Sequence, residues 1–468
     1  MIPFFPKIIS SMAVRTYIIA LAIVSIVFFR FAMPVWRMGL GLLFVAGFFY
    51  LTSSWSKNWS TLPTRIFERR LFGFALAFRV IWVMASYIFY MQVNGNPFEY
   101  GAADSIGYDE TGRDLSSMPW SFALNYWFGP ESSGVSDVGY EFCLTILYKF
   151  FGPDIILVRF IKCLLSAWMC LLLYHLSSRM LGEAVGRIAG IMCCLMPLFI
   201  IYCGYHLKET EMIFLEVAFL ERLDYVIRNR KYNFLNIIAP ILLAVSLFFF
   251  RTALGAVAIL AFTAAVVFTS VPTMKKGGRR FALIAWGVLA LVLMAGTTMM
   301  NEVEMYWEQK VENVEIKRSY QESKGIKWAK YATGTIMAPM IVALPFSTMV
   351  AVEGQESQNT KHGGNYVRNF MAFFALLAIY EAIRQKRWRE FILVGVFTFG
   401  YLGVIAVSGY SNAERFLLPG LPGLIILWAY GVSELRPGSF KLLKPWCVVV
   451  ILMEVAWAYF KLGSRGLF

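Results

Sequence analysis

Apolar runs long enough to cross the hydrocarbon of a bilayer recur from one end of this 468-residue chain to the other, and the polar stretches between them are too short to fold as a separate soluble domain. Such a pattern leaves few architectures. No water reaches the hydrocarbon core to satisfy a backbone N–H or C=O, so a spanning segment must be helical or belong to a closed barrel. Continuous runs, in place of short alternating ones, exclude the barrel. The chain therefore reads as one all-α integral membrane domain over residues 1–468, 59% of it hydrophobic and 17% aromatic.

The net charge of +14 raises the question of nucleic acid. The basic residues answer it, because they form short clusters between apolar runs, with no spread of the kind that tracks phosphates. They are topology signals instead: Lys7/Arg15, Lys57 with Arg65/Arg69/Arg70, Arg179/Arg187, Arg228/Arg230/Lys231, Lys275/Lys276/Arg279/Arg280, Arg384/Lys386/Arg387/Arg389 and Arg436/Lys441/Lys444 mark the cytoplasmic side. Between consecutive markers the chain crosses an even number of times. From 237 to 270 it is apolar except for Arg251 and Thr252, with basic flanks on both sides, so two short helices meeting at Arg251 are expected. Between Arg280 and Arg384 three apolar runs occur; the one from 335 to 352 contains Pro339 and Pro345 and is expected to be re-entrant or interfacial.

The resulting map has about 13 transmembrane helices, with the N-terminus inside on a retained signal anchor. It places them near 17–32, 38–53, 71–91, 155–176, 188–204, 210–227, 236–250, 253–270, 281–300, 367–383, 391–408, 416–434 and 446–461. Residues 92–154 form a first outer loop, and 301–366 hold an outer amphipathic helix (302–330), the re-entrant segment and a polar mobile loop carrying His362. The seven cysteines, an odd number with no C-x-x-C pair, read as packing residues.

Sign reversal locates the chemistry. From Gln92 to Phe150 there are eight acids and two bases, in a strongly basic protein. Asp104, Asp109 and Glu110 are interleaved with Gly101, Gly107, Tyr108 and Gly112 directly after a span. Carboxylates so placed can converge on one point, where they take a proton from an acceptor hydroxyl, hold a divalent cation, or simply face water. In the second outer loop, His206, Lys208 and Glu209 are squeezed between two spans, and Glu209 and Glu216 share a helix face at a depth where ionisable groups face a cavity or a partner. The bland alternative is a Lys208–Glu209 ion pair. Arg251 and Arg415 are isolated cations on two further outer loops, with Arg159 and Lys162 near another span end. Each alone is explained by snorkelling; several converging from separate helices suit a lipid phosphate.

Three motifs in order carry a resemblance: Asp104-x-x-x-Tyr108-Asp109-x-x-Gly112, the segment Pro197 to Glu209 with Tyr202 and Leu207-Lys208-Glu209, and Arg415-Phe-Leu-Leu-Pro419. Together they resemble the GT-C superfamily of integral membrane glycosyltransferases, in particular the bacterial branch similar to protein mannosyltransferases and aminoarabinose transferases. The resemblance implies transfer of a sugar from a polyprenyl-phosphate donor to a glycan, lipid or protein acceptor on the outer face of a bacterial cytoplasmic membrane. It implies Asp104 as catalytic base or acceptor-orienting group, with Glu209 matching the acid after the fifth span; Asp109 is taken as a further catalytic carboxylate. Lys208, Arg251 and Arg415 would bind the donor phosphate; apart from the resemblance, Tyr108, His206 and His362 are candidate substrate contacts by their place in the outer loops. A divalent ion is left open, and Asp109 stands where such proteins more often carry His. A transporter or flippase of a lipid-linked sugar, and a polysaccharide polymerase or ligase, are the alternatives.

Overall fold

A computed structural model describes residues 3–129, 136–229, 233–268, 340–407, 413–463 and 465–467. These residues are helical almost throughout, and the only β-pairing among them is an isolated bridge between Ala32 and Val350. The helices are α1 (Lys7–Val27), α2 (Val35–Asn58), α3 (Thr64–Asn94), α4 (Ala103–Ser117), α5 (Trp120–Phe128), α6 (Val138–Phe151), α7 (Ile155–Leu181), α8 (Glu183–Leu195), α9 (Pro197–Ile201), α10 (Glu209–Asn229), α11 (Phe234–Phe250), α12 (Thr252–Phe268), α13 (Glu356–Arg384), α14 (Ile392–Val407), α15 (Glu414–Leu417), α16 (Leu421–Ser433) and α17 (Pro437–Gly463).

Seven of these helical stretches are long and apolar enough to cross a membrane, eight if the pair α8 and α9, bent by 47°, is one span. The chain is a multi-pass membrane protein. The expected count of about 13 is not reached among the described residues, for two reasons. The helices α11, α12 and α14 are apolar but of 16 or 17 residues, below the roughly 20 that a straight crossing takes. The helix expected at 210–227 forms as α10 but carries Glu209, Glu211, Glu216, Glu221 and Asp224, all buried against neighbouring helices. The first span also shifts: α1 begins at Lys7, so Lys7 and Arg15 lie within the helix. The expected span 281–300 and amphipathic helix 302–330 lie outside the described residues.

Breaks in the helices are made by identifiable residues. Pro197 has no N–H to give the carbonyl of Cys193, and the bend between α8 and α9 falls there. Buried Arg79 of α3 supplies the missing donors, to the carbonyl oxygens of Cys193 (3.4 Å) and Cys194 (3.1 Å), while its Nε holds Ser166 on α7 at 2.7 Å. One guanidinium thus ties three helices at the kink. Arg251 separates α11 from α12, the expected hairpin of two short apolar helices.

Residues 341–350 run as irregular, mostly buried chain. Two asparagines of α13 satisfy its carbonyls: Asn369 Nδ2 donates to Pro345 (2.9 Å), and Asn359 Nδ2 to Thr348 and Val350 (2.9 Å each). Non-helical backbone is tolerated inside the bundle because protein donors replace water.

The two ends of the bundle differ in chemistry. At one end Arg179 pairs with Glu221 (2.8 Å) and Asp224 (3.1 Å), Arg187 donates to the carbonyls of Trp59 and Ser60, and Arg228 reaches the carbonyl of Glu390. These are the basic clusters that the sequence assigns to one side. At the opposite end lie α4, the 205–208 connection, the α11–α12 break and α15.

Candidate functional site

Four chain segments distant in sequence meet at that second end. Glu209 opens α10, a position favoured for an acid because the N-terminal N–H groups of a helix point at it. The connection before it is held in place by Lys162 of α7, whose buried ammonium donates to the carbonyls of Tyr205 (3.0 Å) and Leu207 and lies 3.5 Å from Glu211. Arg415, on the single turn α15, gives Nε to Glu209 and Nη1 to Asp104 on the first turn of α4. Arg251 approaches the same Glu209 oxygen at 3.8 Å, donates to the Tyr401 hydroxyl at 2.6 Å and lies over the Phe416 ring at 4.6 Å. Tyr401 in turn donates to the carbonyl of Phe416 at 2.9 Å, which fixes the strand of chain bearing Arg415.

The result is a row of alternating charge: Asp104, Arg415, Glu209, Arg251. Its members differ sharply in access. The Asp104 side chain is 60% exposed and Arg415 22%, while Glu209 is fully buried. Desolvated charge at Glu209 is tolerated only because two guanidinium groups face it.

Lys208 turns away from Glu209. It pairs with Asp137 and donates to the carbonyls of Ser136 (3.0 Å) and Phe250 (2.6 Å). Burial pushes its ammonium below the ordinary lysine range, against the pull of Asp137. Asp137 itself is raised by burial, but Lys208 and hydrogen bonds from Lys208 and Tyr108 outweigh this and hold it below the usual carboxylate range. The Lys208–Glu209 pair expected as the simple alternative is therefore not formed. Lys208 ties the α11–α12 break to the entry of α6.

Asp104 and Asp109 do not converge. Both are on α4, and five residues at 100° each place them about 140° apart around the helix. Asp109 is buried on the far face, accepting from Arg113 (2.7 Å) and from the Tyr148 hydroxyl (2.5 Å). His206 lies beyond, 3.3 Å from that hydroxyl and 3.9 Å from Asp109. Burial, with Lys162, Arg159 and Arg113 nearby, drives His206 well below the ordinary histidine range, so it is neutral. Tyr108 is buried against Tyr140 with its hydroxyl on Asp137, and Glu110 is exposed.

His362 is not on a mobile loop. Residues 356–366 belong to α13, and the His362 ring is fully buried between the Tyr17 hydroxyl (2.7 Å) and the carbonyl of Asn359 (2.5 Å). Its polar neighbours Asn359, Asn365 and Asn369 look like loop chemistry in sequence, but Asn359 and Asn369 are the donors that satisfy the irregular chain packed on the helix, and Asn365 donates to Glu414.

Three residues at the site carried no assignment in the sequence. Tyr401 sits inside an apolar run, where nothing distinguishes it. Glu414 and Lys361 form a buried pair (3.4 Å) next to Arg415, with Asn365 donating to Glu414 at 3.3 Å and Lys361 over the Tyr202 ring at 5.3 Å. Glu414 adjoins Arg415 in the motif, which is the one signal that pointed to it. Among the described residues no group of three or more His, Cys, Asp or Glu gathers as a metal-ligand set; each site carboxylate faces a cation or a hydroxyl instead.

No family model matches the chain, and no curated protein matches it. Among solved structures the chain is similar to ArnT from Cupriavidus metallidurans bound to undecaprenyl phosphate, at 14% identity over 81% of this chain and 62% of that one, with a TM-score of 0.47. It is similar also to the Archaeoglobus fulgidus oligosaccharyltransferase complexed with Zn and sulfate (13% identity, 83% and 52% coverage, TM-score 0.45). A third is archaeal oligosaccharyltransferase AglB from Archaeoglobus fulgidus, in complex with an inhibitory peptide and a dolichol-phosphate (12% identity, 85% and 56% coverage, TM-score 0.47). The chain spans between 52% and 62% of the length of these three.

Proposed function

We propose that this protein transfers a sugar from a polyprenyl-phosphate donor to an acceptor hydroxyl at the outer face of a bacterial cytoplasmic membrane. The observation that carries this reading is the shared guanidinium of Arg415, which holds exposed Asp104 on one side and buried Glu209 on the other. A donor phosphate displaces the exposed partner, Asp104, more readily than the buried one. Arg415, with Arg251 behind it, then neutralises the phosphate as it becomes a leaving group. Asp104, released from its counterion, becomes more basic and accepts the proton of the incoming hydroxyl.

In the transfer, the acceptor oxygen forms a bond to the anomeric carbon as the bond from that carbon to the phosphate oxygen breaks. The proton goes to Asp104 and polyprenyl phosphate departs. The outer-face assignment is supported by the polarised bundle: the basic clusters gather at one end and this row at the other, and basic residues mark the cytoplasm. The acceptor is a glycan, lipid or protein hydroxyl, identified by the product of the assay below.

The test is reconstitution of the protein in vesicles with a radiolabelled lipid-linked sugar and a crude acceptor membrane fraction. A glycosylated product that requires the protein and Asp104 supports the reading. Lipid-linked sugar that moves between leaflets with no glycosylated product would replace it with a flippase.

A further inference from the structure

Behind the first turn of α4 is a second group of polar side chains, on four different elements. Arg159, fully buried near the start of α7, donates Nη2 to the carbonyl of Pro97 at 2.7 Å, while its Nε and Nη1 have no hydrogen-bond partner. Glu99, in the connection before α4, accepts from Ser105 at 2.5 Å through Oε1; its buried Oε2 is unpartnered. The hydroxyl of buried Tyr140 on α6 and Nδ1 of His206 are unpartnered as well. These groups form one neighbourhood: the Tyr140 and His206 rings are 5.9 Å apart, Phe98 packs edge-on to His206 at 6.1 Å, Tyr87 lies under Arg159 at 6.0 Å, and Arg159 is in electrostatic reach of Glu99 and Tyr140.

A buried donor or acceptor left unpaired is destabilising, and here several collect in one place. Their chemistry is mixed. Arg159 offers two N–H donors, Glu99 an acceptor, and Tyr140 and neutral His206 either role. A group matched to that set presents hydroxyls, each both donor and acceptor, against aromatic walls. The set is also balanced in charge: Arg159 is in electrostatic reach of Glu99, and Lys162, 5.0 Å over the Tyr140 ring, pairs with Glu211. A ligand carboxylate brought to Arg159 would meet Glu99 as a like charge.

Resting on the transferase reading above, we propose that Arg159, Glu99, Tyr140 and His206 form the subsite for an uncharged, hydroxyl-rich sugar ring of the donor, and that it selects against acidic sugars. Ser105, which binds Glu99, follows Asp104 on the first turn of α4, so the cluster adjoins the turn that carries the proposed base. The proposal makes Arg159, Glu99 and Tyr140 specificity-determining residues.

Citronellyl phosphate, a short stand-in for a polyprenyl phosphate, and its glucosyl, mannosyl, galactosyl and glucuronyl esters would be titrated against the full-length protein in detergent. At least one neutral ester is expected to bind about tenfold tighter than citronellyl phosphate, and the glucuronyl ester no tighter. Tyr140→Phe removes a hydroxyl that has no partner in the free protein, so thermal stability should hold or rise. The same variant should lose about three- to tenfold of the sugar-dependent affinity, the range of one hydrogen bond, with citronellyl phosphate binding unchanged. Glu99→Gln should relax the discrimination against the glucuronyl ester. A glucuronyl ester that binds the wild type as tightly as the best neutral one overturns the proposal, as does a sugar increment untouched in both variants. If citronellyl phosphate binds but no sugar adds affinity, the sugar subsite alone is wrong. If neither it nor any ester binds, the phosphate-donor reading is wrong and the subsite goes with it.

Discussion

Asp104 and Arg415 are 311 residues apart in the chain and form an ion pair at the rim of the site. The acid is the exposed partner and the guanidinium is shared with a buried one, so this pair is the contact that an incoming anion exchanges first.

Replacing Asp104 by Asn keeps size and most hydrogen bonding but removes the charge. Turnover in the vesicle transfer assay should fall roughly 10²–10⁴-fold, the range of a lost general base. Exposed Glu110 is the control, and Glu110→Gln should be far milder. An Asp104→Asn protein that transfers sugar at the wild-type rate removes the assigned role.

Arg251→Ala and Arg415→Ala should weaken binding of citronellyl phosphate, and lysine at either position should rescue only in part, because it lacks the paired donors of the guanidinium. Arg415→Ala also strands buried Glu209 with one counterion fewer and should lower the unfolding temperature. Adding Glu209→Gln should restore stability without restoring phosphate affinity. Wild-type affinity in both alanine variants would return these residues to a purely structural role.

His206 is neutral in the fold because burial and the neighbouring cations hold its pKa well below 6.5. Below about pH 6.5 the unfolded chain takes up a proton that the folded chain refuses, so stability is lost as pH falls through that value, by up to about 1.4 kcal/mol per pH unit. Denaturant unfolding of wild type and His206→Gln between pH 7.5 and 5 should show a shallower pH dependence in the variant. Identical slopes would show that His206 is not the group responsible.

Orientation is checked by labelling. Glu110 and Lys386 are both exposed, at opposite ends of the bundle. A cysteine at Glu110 should react with an impermeant thiol reagent added to intact cells, and one at Lys386 only after permeabilisation. The reverse pattern would place the site in the cytoplasm.

Membrane residence, helical class and the break at Arg251 are legible in the residues alone, because bilayer thickness and backbone hydrogen bonding act locally and leave a local record. That Asp104, Glu209, Arg251 and Arg415 need partners is legible for a related reason: charge beside an apolar run is costly, and the chain keeps it only where something answers it. What answers it was not legible. That Lys208 takes Asp137 and leaves Glu209 to two arginines, that Asp109 turns to Tyr148 while Asp104 meets Arg415, and that His362 is buried inside a helix against Tyr17 are outcomes of packing between distant segments. A pattern in sequence fixes which face of a helix a residue occupies, whereas the partner on that face is chosen by the three-dimensional contest to pair every buried charge, and only the tertiary structure decides it.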